Sequence, residues 1–471
     1  MQLNSKHIQE LEQRIREYMD GYEGQGVAVS IVNTQGEPLY RQFFGYRDTE
    51  QKKPLDADTL FGLASLTKSF TALATMQLVE QGILDLDAPV NRYLPDFAYP
   101  NQHMPKLWHL LCHSAGFPPQ PRLLISKIAP ELEMPEAERQ DYAYSVTIAK
   151  EGAKRLFQRL AEIPVFLGEP GEYLSYSNDC FAMLSEIIRL YGGEETYSAY
   201  VEKNIIAPLK MQRSTFSFKK PLEDKNANTL YTPTKDGVKA THDWLDNQFM
   251  MMGGGSLKST LADMERYVTM WLNDGRYKGS DGRYQGGRLL SNNGIRKMQK
   301  YRMPYSHQVG YGFGVQTFNM DEITIVGHGG SLTGVATNIL WSHDLGLGVV
   351  VLSNTGGMPV STIAKQMIKV CNGHSPLESF HQFKDVAWTN EQKQAACGTY
   401  VSGEGGSFVI TLKADKLNFA AAGEEFTLRT VLPDLALAPT KMVPSEVRFY
   451  SKEDGSVWAI GFGGRIVLRK E

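Results

Sequence analysis

Cysteine is scarce in this chain: four in 471 residues, at Cys112, Cys180, Cys371 and Cys397, with no Cys-x-x-Cys pair and no dense framework. That excludes a disulfide scaffold and reads as four reduced thiols. Long apolar runs are missing too. None approaches the roughly 18 residues of a membrane helix, and Met1 to Met19 is polar and amphipathic (Ile8, Leu11, Ile15, Met19), unlike a secretory leader. The expectation is a soluble, cytoplasmic chain. Excess charge is also absent: a net −3 gives no reason to invoke nucleic acid or an anionic membrane as partner. No serine lies in a Gly-x-Ser-x-Gly frame, which argues against an α/β-hydrolase. Gly62 with Lys68-Ser69 lacks the second glycine of a phosphate loop, because Thr67 stands there.

What is present is Ser65-Leu66-Thr67-Lys68, after Phe61-Gly62 and ahead of an apolar stretch, Ser69 to Gln81, with helical spacing at Phe70, Leu73, Ala74, Gln77 and Leu78. Gly82 supplies a stop. Three residues is one short helical turn, so the Ser65 hydroxyl and Lys68 amine project together. A lysine against apolar surroundings loses hydration and becomes a usable base, and a serine beside it becomes a nucleophile. Ser65 is also expected at a helix N-terminus, where free N–H groups favour developing negative charge. A second match, Ser217-Phe218-Lys219-Lys220, is followed by Pro221 and charged, turn-rich sequence, and reads as a solvated loop.

At 471 residues the chain has room for two or three domains. A helix over about 7–19 leads to a hairpin, Val27–Val32 and Leu39–Phe44, turning at Asn33-Thr34-Gln35-Gly36. Helical and loop signals fill 83 to 270, including Met183–Leu190 and Thr260–Asn273, the latter opening on a Thr260/Asp263 capping box. Residues 118–165 suit an inserted lid. Strands return at Thr324–Val326, Ala336–Trp341 and Gly348–Leu352, before a helix from Val360 to Val370. Strands at both ends with helices between predict an α/β (α+β) domain, an antiparallel sheet flanked by helices beside a helical subdomain, over residues 1–372. Short strands from Gly398 onward predict a small all-β barrel over 385–471, read as a packing or oligomerisation module.

Three further segments carry chemistry. Tyr176-Ser177-Asn178 precedes an apolar helix; the phenol can share the lysine's proton load and the amide can bind a substrate carbonyl. His328-Gly329-Gly330 joins two strand-like stretches; its glycines allow close backbone approach, and the Ser331 N–H can complete an oxyanion hole with that of Ser65. Trp108 to Gly116 forms a compact block whose His109 and His113 have zinc-pair spacing, but Leu110 stands where a metalloprotease needs glutamate, and both histidines read as structural.

Together these motifs resemble the serine β-lactamase and penicillin-binding-protein superfamily, specifically its class C-like serine hydrolases. The three catalytic motifs correspond to Ser65 to Lys68, Tyr176 to Asn178 and His328 to Gly330. The early His-Leu-Leu-x-His-x-x-Gly stretch corresponds to His109 to Gly116, and the Gly-Gly lead-in to Gly254-Gly255-Ser256. The resemblance covers residues 20 to 370, and the C-terminal barrel resembles the lipocalin-like modules of some members. It implies Ser65 as nucleophile, Lys68 as its base and Tyr176 as general acid/base. It implies Asn178, His328, Gly329, Gly330 and Ser331 at the substrate, with no metal and no cofactor. The expected reaction is acyl-serine hydrolysis of amide or ester bonds in a small molecule or short peptide, D-amino-acid peptides among them, with a homo-oligomer open. The third motif is often Lys-Thr-Gly; histidine here is mostly neutral near pH 7 and leans away from an efficient β-lactamase. A class C-type β-lactamase and a penicillin- or peptide-binding module with little turnover are the alternatives.

Overall fold

A computed structural model describes residues 3–99, 102–245, 248–279, 282, 284, 286–379, 383–439 and 442–470. The chain opens with helix α1 (Ser5–Gly21), then strands β1 (Gly26–Asn33), β2 (Pro38–Asp48) and the short β3 (Lys53–Pro54). Helices α2 (Thr67–Glu80), α3 (Leu107–Leu111), α4 (Val146–Ala161), α5 (Asn178–Tyr191) and α6 (Leu261–Leu272) follow, among shorter turns. Six further strands come next: β4 (Met303–Ser306), β5 (Val309–Tyr311), β6 (Gln316–Met320), β7 (Ile323–Leu332), β8 (Val335–Ser342) and β9 (Leu347–Ser353). Helix α7 (Val360–Cys371) closes this part.

These nine strands form one sheet in the order β4-β5-β6-β7-β8-β9-β1-β2-β3. The two ends of the domain meet at its centre, where β1 runs antiparallel to β9 with Val27 opposite Ser353 and Ile31 opposite Val349. Both central strands are nearly continuous apolar runs because both faces are covered. Alternation sorts them: Ala28, Val32, Val350 and Leu352 join the core under α2 and α6, while Val27, Val29, Ile31, Val349 and Val351 join the core under α1 and α7. The stacked indoles of Trp271 on α6 and Trp341 on β8, 4.9 Å apart, seal the first face.

From Thr67 to Leu78, helix α2 is buried on every side, so it is a central helix and not the amphipathic surface helix that its spacing implied. Its polar groups are all spoken for: Thr71 Oγ1 donates to Gly253 O, and Ser69 Oγ accepts from Tyr267 OH. The capping box before α6 is half realised. Thr260 caps Asp263 N, but the Asp263 carboxylate turns away to accept from Arg213 N and Ser214 Oγ.

Nine strands between Gly398 and Arg469 make the second sheet. Its first strand pairs with both the second strand and the last, Tyr400 standing opposite Phe408 and Arg469. The two unpaired edges are consecutive segments, Glu424–Thr427 and Arg429–Leu432, so the sheet closes almost fully on itself around Tyr400, Phe419, Phe449 and Ile460. It is fastened to the first domain by an apolar patch in which Leu167 and Tyr173 meet Tyr450, Trp458 and Ile466. Among the described residues all four cysteines are free, and no helix is long and apolar enough to cross a membrane.

Candidate active site

Ser65 lies in a single 3-10 turn, Ala64–Leu66, that feeds into α2. Ala64 holds the left-handed φ of 49°, which costs an alanine about 1 kcal/mol and is sustained by the surrounding contacts. Thr67 Oγ1 ties the turn down by donating to Ala64 O at 2.7 Å and accepting from Leu257 N at 3.1 Å. The result is selective exposure: from Thr59 to Leu78, Ser65 alone is not buried.

Lys68 is fully buried one turn on. Its Nζ stands 3.3 Å from Ser65 Oγ, 2.9 Å from Asn178 Oδ1 and 2.6 Å from Gly254 O. Burial pushes its pKa well below the lysine range; Arg465 and Arg122 add to the fall, and Glu404 and Cys180 oppose it. The second serine-lysine pair has no such geometry. Ser217 is buried, caps Lys220 N and hydrogen-bonds the Asp141 carboxylate, whereas Lys219 and Lys220 are exposed. Only the lysine half of that segment is solvated.

Tyr176 and Asn178 reach the lysine from the segment entering α5. The Tyr176 ring lies 4.8 Å from Lys68 Nζ and 4.2 Å from the His113 ring. Its buried hydroxyl makes no hydrogen bond of ordinary geometry among the described residues, and the polar group it faces is the Ser65 hydroxyl. Burial raises the phenol's pKa, with the Ser65 hydroxyl opposing the rise, so it is a neutral donor. The His109–Gly116 block positions this segment. Ser175 N donates to His113 O at 3.0 Å, and Ser177 N donates to His113 Nδ1 at 3.1 Å. Helix α3 ends at Leu111 and His113 takes φ 58°, so His109 and His113 do not share a helix face.

On the far side runs β7. Its pairing with β6 stops at Gly327, whereas its pairing with β8 continues to Leu332, which leaves one edge open from His328 onward. Gly330 abuts the Ser65 turn: a Cβ there would sit 2.3 Å from Leu63 O and 3.1 Å from Ser65 N. Gly329 faces the other way, toward Asn338 and Ser361. Ser331 is exposed. The His328 ring does not reach outward. It is buried, its Nε2 is 2.8 Å from Tyr311 OH and its Nδ1 is 2.6 Å from Gly329 O. Burial lowers its pKa to about 3, so it supplies no cation. The ring instead takes part in a His113–Tyr311–His328 chain, with a 3.1 Å His113 Nε2–Tyr311 OH contact.

Sequence reasoning missed three groups. The Gly254 carbonyl was visible within the Gly-Gly lead-in, but not its contact with Lys68. Glu404 and Arg465 come from the barrel and carried no signal: each sits in a glycine-rich turn that reads as surface. Asn178 Nδ2 donates to Glu404 Oε1 at 3.2 Å, and the Arg465 guanidinium lies 4.8 Å from the Tyr176 ring. The barrel thus borders the site.

A half-buried serine on a tight turn, a buried lysine and an open strand edge on this sheet belong to a known class. Residues 11–369 match the model of the beta-lactamase family, and the chain belongs to that family. It is 25% identical to penicillin-binding protein 4* of Bacillus subtilis (strain 168) over 364 residues, 74% of this chain and 71% of that protein. It is 24% identical to a D-aminopeptidase of Brucella anthropi over 393 residues, 80% of this chain and 65% of that protein. A 93-residue stretch, 19% of this chain, is 47% identical to esterase EstB of Burkholderia gladioli and spans 24% of that protein. The octameric penicillin-binding protein homologue from Pyrococcus abyssi aligns with a TM-score of 0.68 at 26% identity, over 98% of this chain and 100% of that one. SurE aligns at TM-score 0.68 and 19% identity over 99% of both chains, a likeness of fold.

Proposed function

We propose that this chain is a serine hydrolase that cleaves amide or ester bonds through an acyl group on Ser65. One observation carries the reading. Two of the three polar neighbours of Lys68 Nζ, Asn178 Oδ1 and Gly254 O, can only accept hydrogen bonds. A neutral amine has two N–H bonds for them and one lone pair, and the lone pair falls to the Ser65 hydroxyl. Ser65 Oγ attacks the substrate carbonyl as its proton passes to Lys68. The N–H groups of Ser65 and Ser331 hold the oxyanion. Tyr176 donates a proton to the departing nitrogen or oxygen and is reprotonated from Lys68. Water then adds to the acyl-serine, releasing the acid and restoring Ser65.

Asn178 and the backbone of His328, Gly329 and Gly330 bind the substrate, an extended acyl chain adding to the open edge of β7. With His328 neutral, this motif lacks a cation for a β-lactam carboxylate, and esters and D-amino-acid amides are the first substrates to try. Residues 1–372 form the hydrolase domain, 118–165 its lid, and 385–471 a lipocalin-like domain. The test is intact-protein mass after a fluorophosphonate and, separately, a penicillin, comparing wild type with Ser65→Ala. A single adduct that requires Ser65 supports the reading, and equal labelling of Ser65→Ala overturns it. A persistent penicillin adduct identifies a penicillin-binding peptidase, fluorophosphonate alone an esterase or amidase, and rapid nitrocefin loss a β-lactamase.

A further inference from the structure

Two turns of the barrel reach the catalytic segment. Around Gly464, Tyr176 N donates to Gly464 O at 2.8 Å and Ile466 N donates to Ser175 Oγ at 3.1 Å. The other turn, Ser402 to Gly406, wedges against the lid segment: a Cβ on Gly403 would lie 2.0 Å from Pro119 O. This turn delivers Glu404, whose side chain is 12% exposed. Its Oε1 accepts from Asn178 Nδ2 at 3.2 Å and from Arg465 Nη2 at 3.4 Å, and its Oε2 accepts from Arg465 Nε at 2.8 Å. Arg465 is held in turn by Gly463 O, 3.0 Å from Nη1.

We propose that the barrel completes the catalytic centre, with Glu404, clamped by Arg465, acting as a positioning residue that fixes the Asn178 amide so that Lys68 keeps its lone pair on Ser65. The inference rests on the Ser–Lys–Tyr reading. A carboxylate only accepts, so the amide must present Nδ2 to Glu404 and Oδ1 to Lys68. The flipped amide would set its oxygen against the carboxylate and its Nδ2–H against the lysine lone pair, in competition with Ser65. Glu404 is not a docking anion for substrate: both oxygens are engaged and its charge is matched by Arg465. Arg465 serves this purpose and also lies against the face of Tyr176.

The charges around Lys68 give a second readout. It faces Arg465 and Glu404 from the barrel, Arg122 from the lid segment and Cys180 from α5, beside Tyr176 and the neutral rings of His113 and His328. Glu404 carries the one carboxylate among these. Removing its charge lowers the lysine further and moves the acid limb of the rate profile to lower pH, even as the plateau falls.

The test uses the full chain carrying Glu404→Gln, Glu404→Asp and Gly403→Ala. Glu404→Gln, whose amide fits either orientation, is expected to slow fluorophosphonate labelling of Ser65 and kcat for an activated ester together, by about ten- to a hundredfold, with KM little changed. Glu404→Asp recovers part of the rate, and Gly403→Ala, which lifts the turn and draws the carboxylate away without removing it, lowers both rates and moves the acid limb less than Glu404→Gln does. Wild-type labelling of Ser65 with an unaffected Glu404→Gln, or a change confined to KM, overturns this inference alone. No labelling of the wild type overturns the Ser–Lys–Tyr reading and this one with it.

Discussion

Gly330→Ala tests the architecture at its tightest point. The added methyl carbon would lie 2.3 Å from Leu63 O, 2.5 Å from Thr337 Oγ1 and 3.1 Å from Ser65 N. Thr337 cannot swing aside freely, because its hydroxyl donates to the same Leu63 oxygen at 2.9 Å. Ordinary contact begins near 3.4 Å, so β7 and the Leu63–Ser65 turn must part by about 1 Å, a displacement of the kind that costs roughly a hundredfold in rate. Overpacking of this sort also removes about 1–3 kcal/mol of stability. The neighbour is the control: a Cβ at Gly329 meets Asn338 Nδ2 at 3.0 Å and Ser361 Oγ at 3.5 Å, both movable side-chain tips. The assay is kcat/KM on a p-nitrophenyl ester with urea melts of both variants. Gly330→Ala is expected to lose activity roughly a hundredfold, and Gly329→Ala to keep most of it. Equal activity in the two variants would refute the argument that Gly330 sets the spacing between strand and nucleophile.

Tyr176→Phe should slow amide hydrolysis by about 100-fold or more, and slow an activated ester, whose leaving group needs no proton, far less; equal losses on both would remove Tyr176 from the leaving-group step. Lys258 is buried, with Nζ donating to Phe216 O at 2.9 Å and lying 3.7 Å from the Phe218 ring centroid. Burial holds its pKa at about 7 although Asp141 and Glu202 pull upward. An unfolded lysine titrates near 10.4, so between about pH 7 and 10 the unfolded state binds more protons and stability rises with pH. Lys258→Met should lack that rise and be more stable at pH 7 by on the order of 2 kcal/mol, the lost contacts offsetting part of the gain. Parallel stability curves for the two proteins would contradict this.

The parts of the site that are local in sequence were legible from it. Ser65 and Lys68 are one turn apart, so backbone geometry alone brings them together. The central strands β1 and β9 announce themselves as apolar runs, and turn residues mark the barrel strands. What could not be read is long-range or set by tertiary burial. Asn178 and Glu404 are 226 residues apart, and no local pattern says that a glycine-rich barrel turn will meet a helix start. Helix α2 kept an apolar spacing, yet its polar positions, Ser69, Thr71 and Thr75, are buried as well, because neighbouring backbone and side-chain groups satisfy them. The His328 ring faces inward because Tyr311, an unremarked aromatic in a short strand, stands ready to hydrogen-bond it.

The most direct test of the central claim is the rate of fluorophosphonate labelling at Ser65 as a function of pH, followed by intact-protein mass. A buried Lys68 with its pKa held below the lysine range predicts a single adduct whose rate reaches its plateau well before pH 10, absent in Ser65→Ala and severely slowed in Lys68→Met. A rate that climbs only near pH 10, where an ordinary lysine gives up its proton, or an adduct that persists in Ser65→Ala, would contradict it.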